Sequence, residues 1–213
     1  MSWNSKTPKQ VNGTTSPDEE ICECVRCVTQ RAGGSKLEAE RAAYEQAKEH
    51  LVKGIEMGGY AITVGAADAN SGDRDYVPFI YTIGLMQIGI PELVAFGAIP
   101  PEFFDRLANL YLSEVLAGTI PNNEPFEVTS WFSNDLPVFI VPVDRAQMDA
   151  AVVQMADIHY EGTMFENVNF VQLVFQDENR KYPWQEGYVG SDDGWKQPVY
   201  GSPIKPAKEP TIQ

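Results

Sequence analysis

Phe79-Ile80-Tyr81-Thr82-Ile83-Gly84-Leu85, Gly89-Ile90-Pro91-Glu92-Leu93-Val94-Ala95-Phe96 and Pro100-Pro101 follow one another closely, and their order sets the architecture. The first run is apolar, β-branched and aromatic, and reads as a strand that closes at Gly84-Leu85. Gly89-Ile90-Pro91 turns the chain into a second run, Glu92–Phe96, which reads as a buried strand. Pro100-Pro101 then opens a helix, because a proline in the first helical position costs no hydrogen bond. Phe103, Phe104, Leu107, Leu110 and Tyr111 form its expected inner face, and Gly118 its stop. No glycine-rich phosphate loop follows a strand and no Walker motif occurs, which excludes a doubly wound nucleotide fold.

Working outward, Tyr60–Val64 reads as a strand that runs into the loop Asp68–Asp73. Before it, Ser35-Lys36-Leu37-Glu38 is a capping box, in which hydroxyl and carboxylate each satisfy an orphan donor of the first turn. Leu37, Tyr44, Leu51 and Ile55 mark the apolar face of that helix, and Gly58-Gly59 ends it. Downstream, Phe126–Thr129 and Val138–Val141 are strands. Asp144 with Gln147 caps a third helix, with Met148, Ala151, Val152, Met155 and Ile158 inward. Val171–Phe175 is the last strand. The expectation is one α+β domain over residues 35–200: a mixed β-sheet of five to six strands with three amphipathic helices. Residues 1–34 read as a flexible tail carrying a cysteine cluster, and 201–213 as a C-terminal tail.

The 213 residues carry 16 Lys+Arg against 30 Asp+Glu, a net charge of −14. That balance argues against a protein that binds nucleic acid by neutralising phosphates, while leaving room for a basic protein partner. No apolar run is long enough to span a bilayer. The polar start Met1-Ser2-Trp3-Asn4-Ser5-Lys6 does not resemble a secretory leader, so the cytoplasm is the expected compartment.

Cys22, Cys24 and Cys27 are the sharpest local signal. Three crowded thiols make a poor disulfide framework. Thiolates bind zinc at about 2.3 Å, so the three can be metal ligands, with His50, His159, a carboxylate or another subunit's thiol as the fourth. The alternatives are free thiols in the tail, or a redox role. Glu92, Asp177 and Glu186 lie at strand ends or in turns, where a carboxylate can serve as general acid or base, hold a cation, or accept backbone N–H groups. Trp184, with Tyr182 and Tyr188, can wall a pocket for a planar ligand or fold over the core. His159 reads as a helix-terminal residue suited to the negative end of the dipole.

The segments Tyr81-Thr82-Ile83-Gly84-Leu85, Gly89-Ile90-Pro91-Glu92-Leu93, Val171-Gln172-Leu173-Val174-Phe175-Gln176-Asp177, Tyr182-Pro183-Trp184-Gln185-Glu186 and Gln197-Pro198 resemble, in order, the motifs of the bacterial and phage domain-of-unknown-function family numbered 4262. The resemblance spans roughly residues 55 to 200. It departs at Phe175-Gln176, where Trp-Pro is usual, and at Gln185, which is inserted after Trp184. Many relatives begin with Cys-x-x-Cys-Asp-His, and here the three cysteines take that place without the His. The resemblance implies a fold and a bacterial or phage setting, and assigns no reaction.

Three functions follow as expectations. The first is a small-ligand- or protein-binding domain, with Tyr81, Gly84, Leu85 and Trp184 in the site beside Glu92 and Asp177. The second is a hydrolase using a pair from Glu92, Asp177 and Glu186, or a bound metal such as zinc. The third is an assembly or inhibitor protein acting through its tail.

Overall fold

The computed structural model describes residues 25–68, 76–133, 136–150, 152–190 and 196–203. Residues 1–47 and 48–213 form two compact units. The first holds helix α1 (Val25–Arg31) and the start of α2 (Lys36–Gly58). α1 lies inside the segment read as tail, and it ends where Gly33 adopts φ 85° and the Gly34 N–H donates to the Thr29 carbonyl. The capping box forms: the Ser35 N–H donates to Glu38 Oε2 at 2.7 Å, and the Glu38 N–H to Ser35 Oγ at 3.2 Å. Those bonds from Ser35 hold the Glu38 carboxyl below its usual range. Leu37, placed on the apolar face by periodicity, is exposed. Cys22 and Cys24 lie outside the described residues. Cys27 falls in α1, with its side chain outside them. Among the described residues no group of three His, Cys, Asp or Glu side chains can hold a metal ion.

The second unit is built on six strands: β1 (Ala61–Asp68), β2 (Tyr76–Ile83), β3 (Glu92–Phe96), β4 (Phe126–Val128), β5 (Val138–Pro142) and β6 (Phe170–Phe175). Their order across the single mixed sheet is β1-β2-β3-β6-β5-β4. Every neighbouring pair is antiparallel except the central one: β3 and β6 run parallel, with Glu92 opposite Phe170. All six strands overlap the runs read from the sequence, because each contains a short apolar segment bounded by turn residues, although β1 continues past Val64 to Asp68 and β2 begins at Tyr76, ahead of Phe79.

Side chains alternate cleanly between two faces. Ile80, Leu93, Ala95, Val171, Leu173, Val138 and Ile140 meet Phe104, Leu107, Ala108 and Tyr111 of α3 (Pro101–Ala117). On the other face Phe79, Tyr81, Ile83, Val94, Phe96 and Phe170 meet Leu51 of α2 and Ala156 and Tyr160 of α4 (Gln154–Tyr160). β3 and β6 are covered on both sides, which is why they read as mostly apolar runs, broken by Glu92 and Gln172 alone. Two helical expectations need correction. α3 turns Phe104, Leu107, Ala108 and Tyr111 inward, while Phe103 and Leu110 are more than a third exposed. The Asp144–Gln147 motif is real, with the Ala146 N–H and Gln147 Nε2 donating to the Asp144 carboxylate. It makes a turn, however, and α4 begins only at Gln154. Among the described residues no helix is long and apolar enough to cross a membrane.

Past β6, residues 176–190 turn back, and a strap of residues 196–203 crosses the face opposite α3, where Tyr182 and Val199 cover Val141 and Val174. Gly201 passes so close to β5 that a Cβ would sit 2.0 Å from the Pro142 carbonyl oxygen, so only glycine fits. Gly84, which follows β2, has φ 128°, and a Cβ there would meet the Gly59 oxygen at 2.8 Å and Tyr60 Cα at 2.9 Å. Gly84→Ala therefore combines backbone strain with a backbone clash, and is expected to cost about 2 kcal/mol in urea unfolding.

Candidate functional site

The motif residues separate into two groups at opposite ends of the sheet. Glu92 opens β3, and Thr82, Gly84 and Leu85 leave β2 beside it. Asp177 follows β6, whose length puts it roughly 20 Å from Glu92. A single site containing Glu92, Asp177, Gly84, Leu85 and Trp184 is therefore not formed, and Glu92 and Asp177 cannot act as an acid–base pair.

Glu92 is fully buried, as are Tyr81 and Leu85 to within 1%. Its Oε1 accepts the Gly84 N–H at 2.8 Å, the Met86 N–H at 3.1 Å and the Tyr160 hydroxyl, which lies unusually close. Its Oε2 accepts Thr82 Oγ1–H at 2.6 Å, and Thr82 Oγ1 in turn accepts the Leu93 N–H at 2.9 Å. Burial pushes the Glu92 carboxyl above the usual carboxylate range, against the opposing pull of Thr82, Tyr160, Met86 and Gly84. Burial, and then the charge of Glu92, likewise raise Tyr160. The carboxylate pins the 3₁₀ turn Leu85–Ile88 to the start of β3, and it offers no atom to solvent. Nearby, Gln87 Nε2 meets His159 Nε2 at 3.2 Å, so the imidazole is held by a side chain besides its place near the helix end. Burial, with Lys48 adding to it, pulls that imidazole below its usual pKa.

Asp177 organises a turn. Its Oδ1 accepts the Asn179 and Lys181 N–H groups at 2.9 Å each, and its Oδ2 the Val189 N–H at 2.6 Å. Desolvation raises its pKa, but these backbone donors outweigh it and hold the carboxyl below the usual range. Glu186 is exposed in the same loop. Trp184 stacks on Tyr182 with centroids 4.8 Å apart and packs edge-on against Phe139 at 5.2 Å, leaving 38% of itself exposed. Tyr182, buried beneath it, donates to Glu127 Oε1 at 2.9 Å.

Two hollows adjoin here, with Tyr188 and Gln197 common to both. One, of about 490 Å³, lies among Trp184, Gln185, Tyr188, Lys196, Gln197 and Val199. The other, of about 350 Å³, lies among Phe96, Gly97 and Ala98 after β3, and Phe175, Gln176 and Asp177 after β6. Gln197 forms the divide. Its Oε1 accepts the Phe175 N–H at 3.1 Å, and its Nε2 donates to the Leu173 carbonyl at 3.1 Å and the Phe96 carbonyl at 3.5 Å, so it clamps the ends of both parallel strands. From those ends the chain departs to opposite faces, into α3 after β3 and towards Tyr182 and the strap after β6. A crevice at the carboxyl ends of parallel strands, where the chain diverges in this way, is the place where open sheets commonly bind ligands. Gln197 is visible in sequence only as part of a motif. Its role depends on main-chain groups 22 and 101 residues away.

No curated protein and no solved structure matches the chain. The segments that carry these two clusters, apart from the strap, all fall inside one conserved-domain match. The chain belongs to the family described as Domain of unknown function (DUF4262), whose family model matches residues 54–189.

Proposed function

We propose that the domain is a binding module that seats a small ligand across the two hollows that meet at Tyr188 and Gln197, beside the carboxyl ends of β3 and β6. The observation that carries this reading is the divergence of the chain from two parallel strand ends whose carbonyls are bridged by the buried Gln197. A flat ring fits the aromatic wall of Trp184 and Tyr188, because π-faces stack on planar ligands. Lys196 beside that wall favours a ligand with an anionic group, which in a chain of net charge −14 needs a local cation. A hydrolase built on Glu92 and Asp177 gains no support, since the two lie at opposite ends of the sheet.

The test is a thermal-shift and ligand-observed NMR screen of small aromatic acids on the whole chain. Trp184→Ala and Lys196→Ala are each expected to weaken the hits about tenfold, or roughly 1.4 kcal/mol, with melting close to wild type for Lys196→Ala and lowered for Trp184→Ala, which also loses its packing on Tyr182 and Phe139. Hits that bind both variants unchanged, or a library with no hits, would remove the crevice as the ligand site.

A further inference from the structure

The sheet ends differently on its two sides. β4, at one edge, is three residues long, whereas β1, at the other, runs for eight. Among the described residues β1 pairs with β2 alone. In an antiparallel strand every second residue directs both its N–H and its C=O to the same side. Among the described residues β1 therefore presents a row of backbone groups with no strand partner along its outer edge. Native edge strands are usually blunted by lysine, proline, a bulge or short length. Ala61-Ile62-Thr63-Val64-Gly65-Ala66-Ala67-Asp68 has none of these, and its one charge stands at the very end. In the middle, Val64, whose cross-strand neighbour on β2 is Ile80, is 58% exposed.

We infer that β1 is a self-pairing edge: two copies of the chain join β1 to β1, antiparallel, about a two-fold axis through Val64. The register follows from the hydrogen-bond alternation. Outward-facing residues can only meet outward-facing residues, so the numbers of paired residues must sum to an even value. Centring on Val64 satisfies this, and places Val64 opposite its own copy, Thr63 opposite Gly65, Ile62 opposite Ala66 and Ala61 opposite Ala67. The exposed Val64 side chains then cover each other across the axis, as apolar cross-strand pairs do. Asp68 falls outside the paired stretch, so two chains of net charge −14 meet through an uncharged seam. The three-residue β4 is too short to accept β1 head-to-tail, which leaves the closed two-fold pair instead of an open fibre. The product is a continuous twelve-stranded sheet, twice the six strands of one copy.

The seam is independent of the crevice, and its test needs no ligand. Sedimentation velocity and native mass spectrometry of the full chain are run at physiological salt, where charges beyond about 8 Å are screened. Wild type is expected to dimerise at micromolar concentration. Val64→Lys sets two like charges directly opposite and is expected to weaken the dimer roughly thirtyfold, about 2 kcal/mol, with an unchanged circular dichroism spectrum. Val64→Cys, in a background with Cys22, Cys24 and Cys27 replaced by serine, is expected to oxidise to a 64–64 disulfide found by peptide mapping. A wild type that stays monomeric up to about 100 μM overturns the inference. So does a Val64→Lys dimer as tight as wild type, or the lack of the 64–64 link in a dimer.

Discussion

Glu92→Ala is expected to lower the unfolding free energy by roughly 3–5 kcal/mol, read from urea denaturation of the whole chain. The magnitude comes from what the carboxylate holds. Its removal strands the Met86 N–H and the Thr82 and Tyr160 hydroxyls, and leaves the Gly84 N–H with only the Tyr160 oxygen, 2.8 Å away. Each stranded buried donor costs about 1–3 kcal/mol. Tyr160→Phe deletes one donor and keeps the backbone pair, so about 1–2 kcal/mol is expected. The two changes combined should cost less than their sum, because they share the Glu92–Tyr160 bond. A Glu92→Ala protein that unfolds like wild type would mean that this knot does not hold the turn.

The same residue carries a pH signature. Burial raises the carboxyl in the folded chain above its value in the unfolded chain. Between those two values the folded state holds the extra proton, so stability falls as pH rises through that window. Below it the Glu92 contribution is fully present. Asp177 has the opposite sign, because its folded pKa is depressed: its contribution is present above the usual aspartate range and is lost as pH falls through the folded value. Subtracting the pH profile of Glu92→Gln from that of wild type isolates the falling limb. A flat difference would show that Glu92 keeps an ordinary pKa in the folded chain.

Glu92 also marks where reading the sequence stops. Its place at the mouth of a buried strand, after Pro91, was legible, and so was the choice between a catalyst and an acceptor of backbone N–H groups. The decision rested on Tyr160, 68 residues away, whose hydroxyl no local pattern points to. The strands were legible because their signal is local: a short apolar run between turn residues. The inner face of α3 was legible only in part, because Ala108 contributes little to an apolar stripe and Phe103 and Leu110 dominate it. The two exposed residues shifted the apparent face by about 50°, roughly one seventh of a turn. The candidate site failed as a unit for a simpler reason. Gly84-Leu85 and Trp184 look equivalent as motifs, yet a strand carries the chain across the whole sheet between Glu92 and Phe96, and another between Phe170 and Phe175.

Gln172 was the unread signal, a polar residue within the apolar run Val171–Phe175. Fully buried, it donates through Nε2 to the Pro198 carbonyl at 2.6 Å and accepts the Tyr200 N–H through Oε1 at 3.1 Å. A strand residue thus supplies both groups that a neighbouring strand would otherwise offer, and the strap lies on the sheet without becoming part of it. Gln172→Leu keeps the volume and removes both partners, leaving the carbonyl of half-buried Pro198 and the N–H of half-buried Tyr200 without them. A loss of roughly 2–4 kcal/mol is expected in urea denaturation. Hydrogen exchange should rise at Tyr200 and Gln197 more than at β3, since the strap is released before the sheet. Because Gln197 rides on the strap and divides the two hollows, the crevice should lose its dividing wall in the same step, and ligands found in the screen should weaken together with it. Gln172→Glu keeps the acceptor for Tyr200 but sets a carboxylate oxygen against the Pro198 carbonyl, so it should be no milder. Wild-type exchange at Tyr200 in Gln172→Leu would assign the strap to the close passage of Gly201 over Pro142, and would separate the wall of the crevice from the strand beneath it.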